Sequence, residues 1–213
     1  MKKLEWYEWN PFMFNKLSPI IRDRWTFADI GANHGEFTDF FKTTKYEKIY
    51  AFELNPGVAS LLKEKYRENP NIIVENYAVC DKNGTVPFFN GGKDAGDTCY
   101  NIIGQNMNFE KTDNIGIVPS IRLDTYFKDA QIDLMKIDVE GAEISVLEGL
   151  KAISSNIKYL LLECHIDSEW DCLRSLLLDD LNLHCINFYD DLVITKNSPR
   201  PYQCFCERKH DTF

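Results

Sequence analysis

The sequence contains no uninterrupted apolar run of about 18 residues, the length a helix needs to cross a bilayer, so no membrane-spanning segment is expected. Its opening stretch MKKLEWYEWNPFMF is broken by Glu5 and Glu8 where a secretory leader requires an apolar centre, and a cytoplasmic chain is the expectation. An excess of basic residues is also missing, since Lys and Arg number 24 against 33 Asp and Glu, for a formal charge of -9. That charge repels polyanions, so nucleic acid and anionic membrane surfaces are not expected as partners, and a neutral or small substrate is. Seven cysteines, at 80, 99, 164, 172, 185, 204 and 206, lack the spacing of a disulfide framework and read as reduced, mostly buried thiols. Cys204, Cys206 and His210 lack a fourth partner and the usual ligand gap, so no metal site is assigned. Internal repeats and low-complexity tracts are absent as well.

What is present is an alternation of short apolar runs with helix-period segments, the pattern of a parallel sheet with crossover helices. Strands are expected at 26–30, 48–53, 71–76, 132–138, 158–163, 184–188 and 192–195, and helices at 36–43, 58–68, 142–152 and 168–178. The turn Tyr189-Asp190-Asp191 makes the last two strands antiparallel to each other. The 79–131 region is too long for a simple crossover. Its CDKNGTVPFFN reads as a hairpin around Asn83-Gly84, and the Gly- and Asn-rich stretch after it as a loop over a site. Residues 1–25, rich in aromatics such as Trp6, Tyr7, Trp9, Phe12 and Phe14, read as an arm packing on the core, and 197–213 as a C-terminal tail.

The first strand runs into FADIGANHGEFT. A dinucleotide loop carries Gly at relative positions one, three and six, the last opening a helix that receives the pyrophosphate. Here those positions are Gly31, Asn33 and Glu36. Asn33 can take a left-handed turn, whereas Glu36 would repel a diphosphate. Together with Asp29, it suits a ligand with adenosine at one end and ammonium and sulfonium cations at the other, which describes S-adenosylmethionine. Glu53 ends the second strand about 20 residues further on, where an acid accepts hydrogen bonds from ribose hydroxyls. Asn76 to Val79, after the third strand, are placed to line the adenine.

A second cluster, IDLMKIDVEGAE, carries Lys136 and Asp138 on one face of a strand, followed by Glu140 and Glu143. In a doubly wound sheet the ends of the first, fourth and fifth strands meet in one crevice, which brings Asp29, Asp138 and the Glu163-Cys164-His165 end of YLLLECH together. Glu143 reads equally as a first-turn acid that stabilises its helix, and Lys136 as the partner of a buried acid.

The ordered run FADIGANHGEFT, YAFELNP, AVCDKNGTVPF, SIRLDTYF, IDLMKIDVEGAEISVLEGL and LLLECH resembles the FkbM family of S-adenosylmethionine-dependent methyltransferases over about residues 26–166. The resemblance implies an α/β, Rossmann-like fold: a seven-stranded, mostly parallel sheet with an antiparallel last strand and helices on both faces, here spanning 26–196. It also implies O-methylation of a hydroxyl on a small polyhydroxylated acceptor, a sugar or glycan, with deoxysugars such as rhamnose favoured. The cofactor set is then Asp29, Gly31, Ala32, Asn33, Gly35, Glu53, Leu54, Asn76 and Asp138. Asp138 or His165 is the candidate base, Glu140 holds neighbouring hydroxyls, and Tyr100 offers a ring face to the sugar. A divalent ion bridging Asp138 and nearby acids stays open, as do a nicotinamide-dependent oxidoreductase and a non-catalytic cofactor-binding module in a glycan-building assembly.

Overall fold

A computed structural model of the chain describes residues 12–13, 15–90, 100–102 and 114–209. Trp6, Tyr7, Trp9, Phe14, Cys99, His210 and the Tyr100 side chain lie outside the described residues. Seven strands form the main sheet: β1 (Thr26–Ile30), β2 (Lys48–Phe52), β3 (Ile72–Glu75), β8 (Ile132–Ile137), β9 (Ile157–Glu163), β10 (Leu183–Asn187) and β11 (Gln203–Arg208). Their spatial order is β10-β11-β9-β8-β1-β2-β3, with β11 antiparallel to both neighbours and every other pairing parallel.

Period-two alternation explains why this sheet is covered on both sides. Ala28, Ile30, Met135, Ile137, Leu160 and Leu162 face a core completed by Val146, Leu147 and Leu150 of the helix Glu143–Leu150, and by Leu173, Leu176 and Leu177. Phe27, Ile49, Ala51, Leu134 and Leu161 face the other way, onto Phe37, Phe40 and Phe41 of the helix Glu36–Lys42 and Leu62 and Tyr66 of the helix Pro56–Tyr66. Met13 and Leu17, from the segment preceding β1, are buried in this second layer. The start of the helix Pro56–Tyr66 is written locally: the Asn55 side chain accepts from the N–H groups of Gly57 and Val58 at 2.8 and 3.1 Å, and Pro56 follows at a position whose N–H would have no partner.

Three sequence expectations need correction. Leu192–Thr195 makes only the isolated bridge Ile186 to Val193, with Leu192 and Val193 exposed. The seventh strand is instead Gln203–Arg208, inside the expected tail. Its Cys204 and Cys206 are fully buried between β9 and β10, and these small apolar side chains fit the space that the exposed Leu192 and Val193 do not enter. Secondly, 78–90 is not a hairpin. β4 (Ala78–Val79) pairs in parallel with β7 (Asn114–Ile121), and β5 (Gly84–Asn90) pairs antiparallel with β7 and with β6 (Tyr100–Asn101), so a second sheet of order β4-β7-β5-β6 occupies part of the expected loop. Thirdly, Cys185 and Cys206 stand opposite each other in the β10/β11 register and are disulfide-bonded, while Cys80, Cys164 and Cys204 are buried thiols and Cys172 an exposed one.

Candidate active site

The carboxyl ends of β1, β2, β8 and β9 open on one side of the sheet. Gly31 and Ala32 N–H groups both donate to the Phe52 carbonyl, at 3.0 and 2.8 Å, which folds the loop after β1 back over β2. Gly31 has φ 77° and Asn33 φ 46°, so the left-handed turn expected of Asn33 is made. A Cβ on Gly31 would lie 1.8 Å from the Asp138 carbonyl oxygen, and the loop can therefore touch the end of β8 only with glycine there.

Glu53 is buried at the tip of β2. Its Oε2 accepts the Asn33 N–H at 2.9 Å and its Oε1 the Asn55 N–H at 2.7 Å. Burial pushes the Glu53 carboxyl above its ordinary value, with those two bonds and Lys136 opposing. The crevice is walled by Gly31, Asn33, Glu53 and Leu54 on one side, Tyr77, Ala78, Val79 and Ile102 on another, and Asp138, Val139, Glu140 and Ala142 at the far end. Apolar plates with a few fixed polar groups are what a nucleoside site requires.

The expected cofactor residues divide into two sets. Gly31, Asn33, Glu53, Leu54 and Asp138 face the crevice. Asp29, Ala32, Gly35 and Asn76 are not among its walls. Asp29 is fully buried, with Oδ2 accepting from Thr38 Oγ1 at 2.8 Å and Oδ1 3.3 Å from the Lys136 ammonium, so it supports the loop from beneath instead of facing a ligand's methionine end. Ala32 is packed in the core. Gly35 caps the helix Glu36–Lys42 and accepts from Tyr66 Oη at 3.0 Å. Asn76 Nδ2 donates to the carbonyls of Glu53 and Leu54, at 2.9 and 3.0 Å, bracing them from behind.

At the far end the acids converge on one imidazole. His165 Nδ1 lies 2.6 Å from Glu143 Oε1, and its Nε2 lies 3.4 Å from Glu163 Oε1, 3.6 Å from Asp138 Oδ1 and 3.6 Å from Glu140 Oε2. Glu143 also accepts the Gly141 N–H at 3.0 Å, which accounts for its burial at a helix start. Glu140 sits at φ 54°, a conformation costly for a non-glycine residue and typical of functional turns. Burial disfavours the His165 cation, but the bonds to Glu143 and Glu163 and the nearby Asp138 charge outweigh it and hold its pKa well above the ordinary value. For Asp138, burial dominates and pushes the carboxyl up to about 7, with Glu163 and Glu140 adding to the rise and Lys136 and His165 opposing it. Burial also acts to raise Glu163, yet its hydrogen bonds from His165 and Tyr202 and the Lys136 charge leave it lowered. Asp138, Glu163 and His165 each offer a ligand atom within 4.8 Å of the others, so a divalent cation could be held by these three.

Glu163 and Tyr202 complete the site, and Tyr202 had no signal in the sequence. It precedes β11, which the pattern of apolar residues did not reveal. Ile102 and Val139 were equally silent, whereas Tyr77, Ala78 and Val79, from the 76–79 stretch expected beside the adenine, do line the crevice.

Residues 29–182 match the Methyltransferase FkbM domain. The chain belongs to the FkbM methyltransferase family. It is 24% identical over 164 residues to the 2-O-methyltransferase NoeI of Sinorhizobium fredii, a match that takes in 71% of this chain and 65% of that relative's length. The FkbM fold is shared with solved structures at low identity. An rRNA methylase from Streptococcus thermophilus superposes with TM-score 0.52 at 14% identity, covering 99% of each chain. SMU.1697c from Streptococcus mutans, in complex with SAH, gives TM-score 0.54 at 13% identity over 98% of this chain and 100% of its own. No helix among the described residues is long and apolar enough to cross a membrane.

Proposed function

We propose that this FkbM-family chain transfers the methyl group of S-adenosylmethionine to a hydroxyl of a sugar or glycan. The observation that carries this reading is the crevice itself. An acid fixed by two backbone N–H groups stands at one end, and an acid raised to about 7 beside an imidazole at the other. The cofactor fits this lining. Glu53 keeps lone pairs for ribose hydroxyls, Leu54 and Val79 line the same crevice and offer apolar surface to a flat base, and the bare Gly31 backbone lets a ligand approach the loop closely. Its likeness to a 2-O-methyltransferase and to a fold that holds SAH elsewhere supports the same reading.

When bound, S-adenosylmethionine supplies a sulfonium methyl open to in-line displacement, the sulfur keeping the electron pair of the broken bond. The hydroxyl oxygen that takes the methyl must lose its proton, and Asp138 accepts it. A base is most effective with a pKa near the working pH, which favours Asp138 at about 7 over His165, already cationic there. Glu143 and Glu163 hold the imidazolium against Asp138 and keep that carboxylate aimed. Glu140 accepts a neighbouring hydroxyl of the acceptor. Held about 3 to 3.5 Å apart in line, the reactants recover several kcal/mol of the barrier by positioning alone.

The deciding experiment is an acceptor screen with methyl-labelled S-adenosylmethionine, beginning with rhamnose- and fucose-type deoxysugars and their glycosides. Label appearing on a sugar oxygen is the expected result. SAH binding without label on any acceptor would instead make the chain a cofactor-binding module.

A further inference from the structure

Lys136 is a charged residue inside the central strand of the main sheet, and its side chain is 8% exposed. Its ammonium has three donors and meets three acceptors from three segments. It donates to the Gly31 carbonyl at 2.7 Å, lies 3.3 Å from Asp29 Oδ1 at the end of β1, and lies 3.3 Å from Asp138 Oδ2 just beyond β8. Asp29 Oδ1 has no hydrogen bond among the described residues, so this ammonium is what compensates its buried charge. The Phe37 ring, with its centroid 5.3 Å from Nζ, closes the remaining side. The register puts Asp29 directly beside Lys136 in the neighbouring strand, and the Gly31 Cα is in contact range of the Asp138 carbonyl. The cofactor loop and the acid on the acceptor side are thus tied to one cation.

We propose that Lys136 is the positioning residue of the site, setting the loop that holds the methyl donor and the Asp138 carboxylate in one fixed relation. This rests on the reading of the crevice as an S-adenosylmethionine pocket. A purely structural lysine would neutralise Asp29 and do no more. A positioning lysine transmits any change at Asp138 to the loop, because the carbonyl of Gly31 and the carboxylate of Asp138 share its protons. Its loss lets both move, and displacements of about 1 Å at such a site cost about 100-fold in rate.

The test needs no acceptor. SAH is titrated calorimetrically into the wild type, Lys136→Met, Lys136→Arg, Asp138→Asn and the Lys136→Met/Asp138→Asn pair, each first checked as folded by circular dichroism. Lys136→Met is expected to bind SAH at least tenfold more weakly. Lys136→Arg is expected to restore little of that affinity, since the larger guanidinium holds its donors in one plane and cannot reproduce the compact, rotatable spread of an ammonium. The pair should bind no more weakly than Lys136→Met alone, because the effect of Asp138 reaches the loop through the lysine. Variants that lose thermal stability yet bind SAH within twofold of the wild type overturn the inference and leave the cofactor reading intact. If Lys136→Met does not fold, Lys136→Arg decides in the same way, with wild-type affinity counting against positioning. A wild type that binds no SAH overturns the cofactor reading and this inference together.

Discussion

His165 Nδ1 and Glu143 Oε1 lie 2.6 Å apart in the interior, joining the end of β9 to the start of the helix that follows β8. The pair sets the charge at this end of the crevice. Glu143→Gln removes a raising influence on His165, so the ring should titrate lower, as read by NMR. The same change should alter thermal stability. A histidine whose folded pKa is raised contributes stability that is complete below its ordinary value of 6.5 and lost as pH rises through the folded value. Above about pH 8 Asp138 is largely ionised in folded and unfolded chains alike, so the decline beyond that point is the part to assign to His165. The melting temperature of the wild type should fall with rising pH in that window, and that of Glu143→Gln should fall less. Parallel curves would remove the His165 charge from the account.

Asp138 must be ionised to take a proton, and its carboxyl sits at about 7. Methyl transfer should therefore drop about tenfold per pH unit below that value and level off above it. Asp138→Asn should lower the rate by about 100-fold or more at pH 8, the range a positioned base supplies. A pH profile flat between 5.5 and 8 would assign the proton to another group.

Gly31→Ala places a methyl 1.8 Å from the Asp138 carbonyl at φ 77°. Backbone strain alone costs about 1–3 kcal/mol at such a position. Loss of measurable SAH binding, with a lowered but cooperative melt, is the expected outcome, and calorimetry beside a thermal scan reads both. Unchanged affinity would mean that the loop does not contact the ligand.

Removal of divalent metal should leave methyl transfer intact. A cation held by Asp138, Glu163 and His165 would have to displace the imidazole proton that Glu143 and Glu163 stabilise, which weighs against it at neutral pH. Activity after EDTA treatment and desalting is the measurement. Loss restored by Mg2+ would turn Asp138, Glu163 and His165 into ligands.

The sheet was legible because parallel strands covered on both faces are written as continuous apolar runs. β1, β8 and β9 begin and end within a residue or so of where their runs do. β11 was not legible, since QCFCER mixes polar with apolar residues, and its place is set by the gap between β9 and β10. The Asn83-Gly84 turn misled for a related reason. It is a local hairpin signal, but the partner of β5 is β7, brought in from further along the chain.

Local sequence determined what a single strand end and its loop require: a left-handed Asn33, a glycine at 31 and acids at 53 and 138. Which acids face the crevice was decided in three dimensions. Asp29 lies one residue inside the end of β1, beneath the loop and against Thr38 and Lys136, while Glu53 lies one residue beyond β2 and lines the crevice. The reason is packing order. A side chain still inside a strand is roofed by the loop that follows it, as Asp29 is, whereas one just beyond the strand's last residue, as Glu53 and Asp138 are, reaches the crevice.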